Sequence, residues 1–442
     1  MKAFRYLAIV LAFVFALACN KTPENNEEPE NPQEENTDPV PLVSPEGSVE
    51  NDVVYAYMQC GPYEKFGSKT WFKDPVVRAT ANVYNWNADR PKGVTVKWDN
   101  KTDVKVSLSA GGKVLYEESL TDTSSVTFTS LIPGVTYSYV VSASGSTLKN
   151  GSFTPTGQVR MVDIPGSWNW RDIGGWDGLE GHKVRYGWVY RGGSLNGKFI
   201  GEDRSADVYD YTKYEWSEAA QKACEYIGIK AELDLRGDPE DEGNYGAEYE
   251  AHTGTLRHCQ IAGAEYIHIM TDLGYTHPLE RSSVIQDVAW TIYQLKKGNP
   301  VAIHCKSGAD RTGAVLGLLE GVLGVSEGDV ARDYEFTSIS TEYVTRNVRY
   351  ASEVAASSYF LSRNKGIFSL DRETFQDKCY YYLNQYFDDV HINADDIDWY
   401  IGFMLGWNGF KRPSYAKNYD NNSLETVFSI STGSADHTYV VE

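Results

Sequence analysis

The stretch His304-Cys305-Lys306-Ser307-Gly308-Ala309-Asp310-Arg311-Thr312-Gly313 sets a cysteine and an arginine on one short loop. It follows the apolar triplet Val301-Ala302-Ile303 and leads into an apolar segment over 312–323. A buried strand, a tight loop and a helix N-terminus in that order make an anion cradle. The loop N–H groups and the first helical turn point at one spot, and the helix dipole favours negative charge there. Lys306, Ser307, Gly308, Ala309, Asp310 and Thr312 would line the cradle, and Arg311 can grip two phosphoryl oxygens at once. The same field favours a thiolate at Cys305, to which Thr312 can donate its hydroxyl. Gly308 lets the backbone fold tightly enough to aim its N–H inward. The implied reaction is a two-step displacement. Cys305 attacks phosphorus, the alcohol leaves, and water hydrolyses the cysteinyl-phosphate. Backbone N–H groups and Arg311 neutralise the equatorial oxygens, so the scheme needs no metal and no cofactor. A general acid must protonate the leaving oxygen. A merely structural cysteine ahead of a helix would leave His304, the loop glycine and Thr312-Gly313 unexplained.

The elements that position this loop can be read along the chain. Over 217–227 a helix is predicted, with Ser217 as N-cap and Gly228 as stop. Residues 230–235 and 266–269 read as strands. The segment 282–297 is amphipathic, with Val284, Val288, Ile292 and Leu295 near helical spacing, and ends at Gly298. Such alternation predicts an α/β domain over 157–406 with a mostly parallel central sheet. Residues 50–156 read instead as short strands, at 76–84, 94–98, 103–108, 113–116, 126–128 and 137–143. Gly111-Gly112 and Asp99-Asn100 punctuate them. That spacing predicts an all-β sandwich. The segment Leu131-Ile132-Pro133-Gly134-Val135-Thr136-Tyr137 resembles the tyrosine corner of a fibronectin type III or immunoglobulin-like domain. We read this region as a spacer or packing partner. The chain is therefore expected to be multidomain.

His304–Gly313 resembles the H-C-x-x-G-x-D-R-T-G signature of bacterial tyrosine phosphatases of broad phosphotyrosine and phosphoinositide specificity. The likeness extends to Pro165-Gly166-Ser167-Trp168-Asn169-Trp170-Arg171-Asp172-Ile173-Gly174-Gly175, to Tyr190-Arg191-Gly192-Gly193, and to Asp234-Leu235-Arg236 with Glu240. Downstream, 329–334 and 395–405 look like the family's helical tail. The resemblance implies a phosphomonoester hydrolase acting first on phosphotyrosine. Its alternatives are an inositol phosphate or phosphoinositide phosphatase, or a non-catalytic surface protein that binds phosphorylated ligands. Lys306 occurs in phosphoinositide 3-phosphatases, but their second loop lysine is Ala309 here. By the same resemblance Asp272, just past the strand at 266–269, occupies the place of the loop acid of tyrosine phosphatases. Asp310 resembles the loop acid of myotubularin-type enzymes. Asp234 is either a third candidate or a support for Arg191 or Arg236. Arg171, Arg191 and Arg236 would form a basic floor, or ion pairs with Asp172, Asp234 and Glu240. Residues 198–216 look like an insertion, and 407–442 lie beyond the resemblance.

The N-terminus is an address rather than a fold. Lys2 and Arg5 precede an apolar run over 6–18, shorter than the roughly 20 residues that span a bilayer. Ala16-Leu17-Ala18-Cys19 resembles a bacterial lipobox, which implies lipidation at Cys19 and a lipid-anchored protein of the cell envelope. Residues 1–18 would be the signal peptide, and 19–49 an acidic tether without the apolar content to fold. Across 442 residues, 61 acidic side chains face 41 basic ones, a net charge of −20. That balance excludes a nucleic-acid partner, which needs a basic face. A phosphorylated small molecule or a phosphotyrosine remains compatible, because the cradle is a local cationic pocket. The other cysteines, Cys60, Cys224, Cys259 and Cys379, show no metal spacing.

Overall fold

The computed structural model describes residues 39–61, 71, 74–83, 88–195, 218–236, 259, 261–269, 271, 283–305, 307–340, 365–386, 390–420 and 424. Two helices come first, α1 (Asp52–Gln59) and α2 (Pro75–Val83). Asn51 caps α1 by accepting the N–H of Val54. The second helix corrects the strand expected over 76–84. Its β-branched composition suggests a strand, but Asp74 accepts the N–H groups of Val76 and Val77, and Pro75 takes the first helical position. Cap and proline together start a helix that buries Val77, Thr80 and Ala81 on one face.

Residues 94–153 form one antiparallel sheet, in the order β2-β1-β3-β4. Its strands are β1 (Val94–Ala110), β2 (Lys113–Phe128), β3 (Tyr137–Ala143) and β4 (Ser146–Phe153). Gly111 and Gly112, with φ of 55° and 79°, make the tight β1–β2 turn. Asp99-Asn100 is no turn. The strand runs through it, and register shifts between Lys97 and Val104 absorb the irregularity. Alternate side chains Val96, Trp98, Val104, Val106 and Leu108 face a core. The Tyr137 hydroxyl accepts the N–H of Ile132 at 2.9 Å, the tyrosine-corner contact anticipated above. Of the expected sandwich, the described residues show one four-stranded antiparallel sheet, accompanied by two helices. Its buried apolar residues form one cluster with Val49 and Leu131, and Tyr226 packs against it.

The second sheet has five strands in the order β5-β6-β9-β7-β8. These are β5 (Arg171–Asp172), β6 (Val189–Gly192), β7 (Ala231–Asp234), β8 (Glu265–His268) and β9 (Val301–His304). β5 runs antiparallel to β6, and every other pairing is parallel. All residues of β6, β7 and β9 are buried, as a sheet covered on both faces requires. Helices α3 (Glu218–Ile227), α4 (Ser283–Lys296) and α5 (Asp310–Val322) connect or follow these strands. α6 (Glu327–Glu335) runs into a 3₁₀ turn, Phe336–Ile339, and α7 (Lys365–Ser369), α8 (Phe375–Gln385) and α9 (Ala394–Leu405) follow. α5 is wedged against α4, α8, β6 and β9, which explains its burial from Thr312 to Val322. Val53, Tyr57, Val77 and Ala81 of α1 and α2 share one apolar cluster with Leu233, Ile303 and Leu316. Arg160 adds a polar link to the first sheet, donating to the Ser130 carbonyl at 2.8 Å and to Asp172 at 2.9 Å.

Candidate active site

β9 ends at His304, and Cys305 follows as a buried residue on the loop into α5. His304 is held from the neighbouring strand: its Nε2 lies 3.0 Å from Oε1 of Glu232. The other Glu232 oxygen accepts from the Cys259 thiol at 3.3 Å. Gly308 has φ of 67°, and a Cβ there would stand 2.3 Å from the Gly192 carbonyl carbon, so only glycine fits. Ala309 caps α5 without a side-chain acceptor, leaving the first-turn N–H groups for an anion. The Thr312 hydroxyl is buried with no partner among the described residues. Arg311 donates to the Leu235 carbonyl at 3.3 Å, at the end of β7. The arrangement is a strand–loop–helix cradle with a cysteine at its base and an arginine at its lip.

Asp310 opens α5, and its Oδ1 accepts from the Tyr334 hydroxyl at 2.6 Å. Asp272 and Lys306 lie outside the described residues, as do Cys19, Glu240 and the 198–216 insertion. Thr271, directly before Asp272, is buried and donates to Asp287 at 2.7 Å. Burial pushes the Asp287 carboxyl well above its ordinary value, and the Thr271 hydrogen bond offsets part of that rise. Asp234 binds Arg236 through both oxygens, at 2.8 and 3.0 Å from Nε, and also accepts from Tyr266 at 3.2 Å. Arg236 reaches Ser194 at 3.0 Å.

Beneath the loop sits a buried ionic floor whose partners differ from those expected. Asp172 pairs with Arg160, not with Arg171. Arg171 and Arg191 share Asp333 of α6, Arg171 at 2.7 Å. Burial would push the Asp333 carboxyl up, but the two guanidiniums outweigh it and hold it below its ordinary value. Arg171 is pushed down to about 10 by burial and by Arg191. Glu320 of α5, also buried, is raised well above the carboxylate range by burial and by Asp333. Arg191 reaches up to the Gly308 carbonyl at 3.0 Å. Asn169 donates to the carbonyls of Ser307 and Gly308 at 3.0 and 3.3 Å. Asn169, Glu232, Asp333 and Tyr334 were not singled out from sequence. The available signal was the rule that a buried arginine needs a carboxylate. It pointed to a partner but not to α6.

The tyrosine phosphatase family matches residues 162–412. The chain belongs to that family. It is accordingly a cysteine-dependent phosphatase of the tyrosine-phosphatase type. Among solved structures it is similar to P. aeruginosa TpbA, crystallised in complex with phosphotyrosine. The identity is 13%, the match covers 41% of this chain and 89% of that chain, and the TM-score is 0.21. No curated protein matches this phosphatase. The family match starts after the first sheet and extends past α9 into the segment beyond 407. There Trp407 stacks on His182 at 4.8 Å, and Arg412 bonds Asp398 at 2.6 Å. Within the described residues Cys60, Cys224, Cys259, Cys305 and Cys379 are free thiols. Burial pushes the thiols of Cys224, Cys259 and Cys379 up and that of Cys60 to about 11, which leaves them poor nucleophiles.

Proposed function

We propose that this phosphatase hydrolyses phosphotyrosine through a cysteinyl-phosphate at Cys305. The observation that carries the reading is the loop formed by Cys305 and residues 307–311. Its carbonyls at Ser307 and Gly308 are bound from below, and its cysteine and arginine flank an uncapped helix N-terminus. The Cys305 thiolate attacks phosphorus, and the bond to the leaving phenolic oxygen breaks. Arg311 and the loop N–H groups hold the three equatorial oxygens as charge redistributes. Asp310 protonates the leaving oxygen and then takes a proton from the attacking water. Tyr334 holds one carboxylate oxygen of Asp310 and leaves the second for transfer. Asp272 is the competing acid. We further propose that lipidation of Cys19 anchors the protein in the cell envelope.

The test is a substrate panel of phosphotyrosine peptides, inositol polyphosphates and phosphoinositides, run with wild type and C305S. Phosphotyrosine is expected to give the highest kcat/KM, and C305S to fall to background. Preference for an inositol ring would move the substrate class. Full activity in C305S would sink the mechanism. Comparing D310N with D272N on good and poor leaving groups assigns the acid, because the true acid matters least where the leaving group is good. For the anchor, C19A should abolish fatty-acid labelling and release the protein from membranes.

A further inference from the structure

We propose that Asn169 is a positioning residue that aims the loop amides at phosphate, and that Asp89, supplied ahead of the family match, fixes Asn169 for this task. The inference deepens the proposed function and rests on it.

Asn169 is fully buried and holds a left-handed backbone, φ 61°, a conformation unusual for a residue other than glycine. All its polar groups are engaged. Its side-chain amide donates to the carbonyls of Ser307 and Gly308 and to Oγ1 of Thr337 at 3.2 Å. Its side-chain oxygen accepts from Arg171 at 2.7 Å. Its backbone N–H donates to Oδ2 of Asp89 at 2.9 Å. The consequence for catalysis follows from the planar trans peptide, in which C=O and the next N–H point in opposite directions. Drawing the Ser307 and Gly308 carbonyls toward Asn169 turns the N–H groups of Gly308 and Ala309 the other way, into the cradle. Arg191 pulls on the same Gly308 carbonyl.

Asp89 is buried and lies in the segment joining α2 to β1, outside residues 162–412. Backbone bonds pin it on both sides. Ala88 donates to the Ile339 carbonyl at 2.9 Å, and Asn51 donates to the carbonyls of Ala88 and Arg90 at 2.6 and 2.7 Å. The 3₁₀ turn Phe336–Ile339 therefore meets both ends of the device, through Thr337 and Ile339. The N-terminal segment is in this way a working part of the phosphate loop.

The experiment compares N169G, D89A and D89N for kcat, for inhibition by inorganic phosphate, and for rates on a good and a poor leaving group. Glycine suits the left-handed backbone at 169, so N169G keeps the backbone conformation and the N–H to Asp89 while removing the side-chain amide and its bond to Arg171. It should lose about 10²-fold in kcat, the scale of one misdirected oxyanion donor. Its inhibition constant for phosphate should rise by about tenfold or more, and its rate loss should be equal for both leaving groups. D89A should shift the same constant by about tenfold, and D89N, which keeps an acceptor oxygen, by less than about threefold. Wild-type values within about threefold in N169G would overturn the proposal. A D89A variant that loses thermal stability while its phosphate constant stays put would overturn the role of Asp89. A wild type that hydrolyses no phosphomonoester would instead sink the proposed function, so the two failures are distinguishable.

Discussion

The two sheets are built on opposite principles. In the antiparallel sheet β1 and β2 are long, one face is apolar, and polar side chains point to water. In the five-stranded sheet the strands are four residues or fewer, and β5, β6, β7 and β9 are buried throughout, yet they carry Arg171, Asp172, Arg191, Glu232, Asp234 and His304 inside. A buried charge is tolerated only when paired and hydrogen-bonded. Each of these residues has such a partner, and Arg191 itself, together with Asn169 bound to Arg171, reaches the carbonyls of the phosphate loop. The first sheet is held by apolar burial that could be repacked without consequence for chemistry. The second accepts buried ions because their fixed dipoles orient the loop.

This difference can be broken at its strongest point. D333A leaves two buried guanidiniums without a counter-ion, a change of about 3–5 kcal/mol. It should also release Arg191 from beneath Gly308, so that activity per folded molecule falls with stability. A chemical denaturation curve and an active-site titration on the same sample check both. The matching lesion in the other sheet is L108A, where a fully buried side chain in β1 is truncated. A loss of about 2–5 kcal/mol is expected there, with kcat per folded molecule unchanged. If L108A lowers kcat as D333A does, the two sheets are not functionally separate. A smaller effect is expected from Y334F, which removes the hydrogen bond to Asp310 at about 1 kcal/mol. Its rate on a poor leaving group should fall more than on a good one. Equal losses on both would remove Asp310 from proton transfer.

The legible parts of the molecule were the local ones. The triplet Val301-Ala302-Ile303, the loop glycine and the apolar run after Arg311 belong to contiguous chain, and the structure places strand, loop and helix there. The helices ending near Gly228 and Gly298 were marked by the same short-range grammar. Failures came where a distant or subtler cause decided. Residues 76–84 resemble a strand by composition, but Asp74-Pro75 starts a helix. Asp99-Asn100 looks like a turn, but strand pairing carries the chain through it as a bulge. The ionic floor was the least legible, since Arg171 meets Asp333 across 162 positions of sequence. A buried arginine announces that it has a partner without saying where.

The subtlest difference between the sheets is their response to pH. Burial and Asp333 raise Glu320 well above its ordinary 4.5, so the folded state keeps a proton that the unfolded chain releases. The sign follows from linkage: the contribution of Glu320 is complete below pH 4.5 and is lost as pH rises toward its folded value. Asp333 runs the other way. Its carboxyl is depressed below its ordinary 3.8, so its contribution stands above that value and is lost as pH falls through the folded one. E320Q cannot ionise and should flatten only the neutral limb. The Tm difference, variant minus wild type, should therefore grow as pH rises above the ordinary 4.5 of Glu320, while acid unfolding is retained. Asp172 and Asp287 are also raised by burial, so the slope should diminish without vanishing. Parallel curves for E320Q and wild type would mean that Glu320 is already ionised in the fold, and that the floor tolerates a second carboxylate beside Asp333.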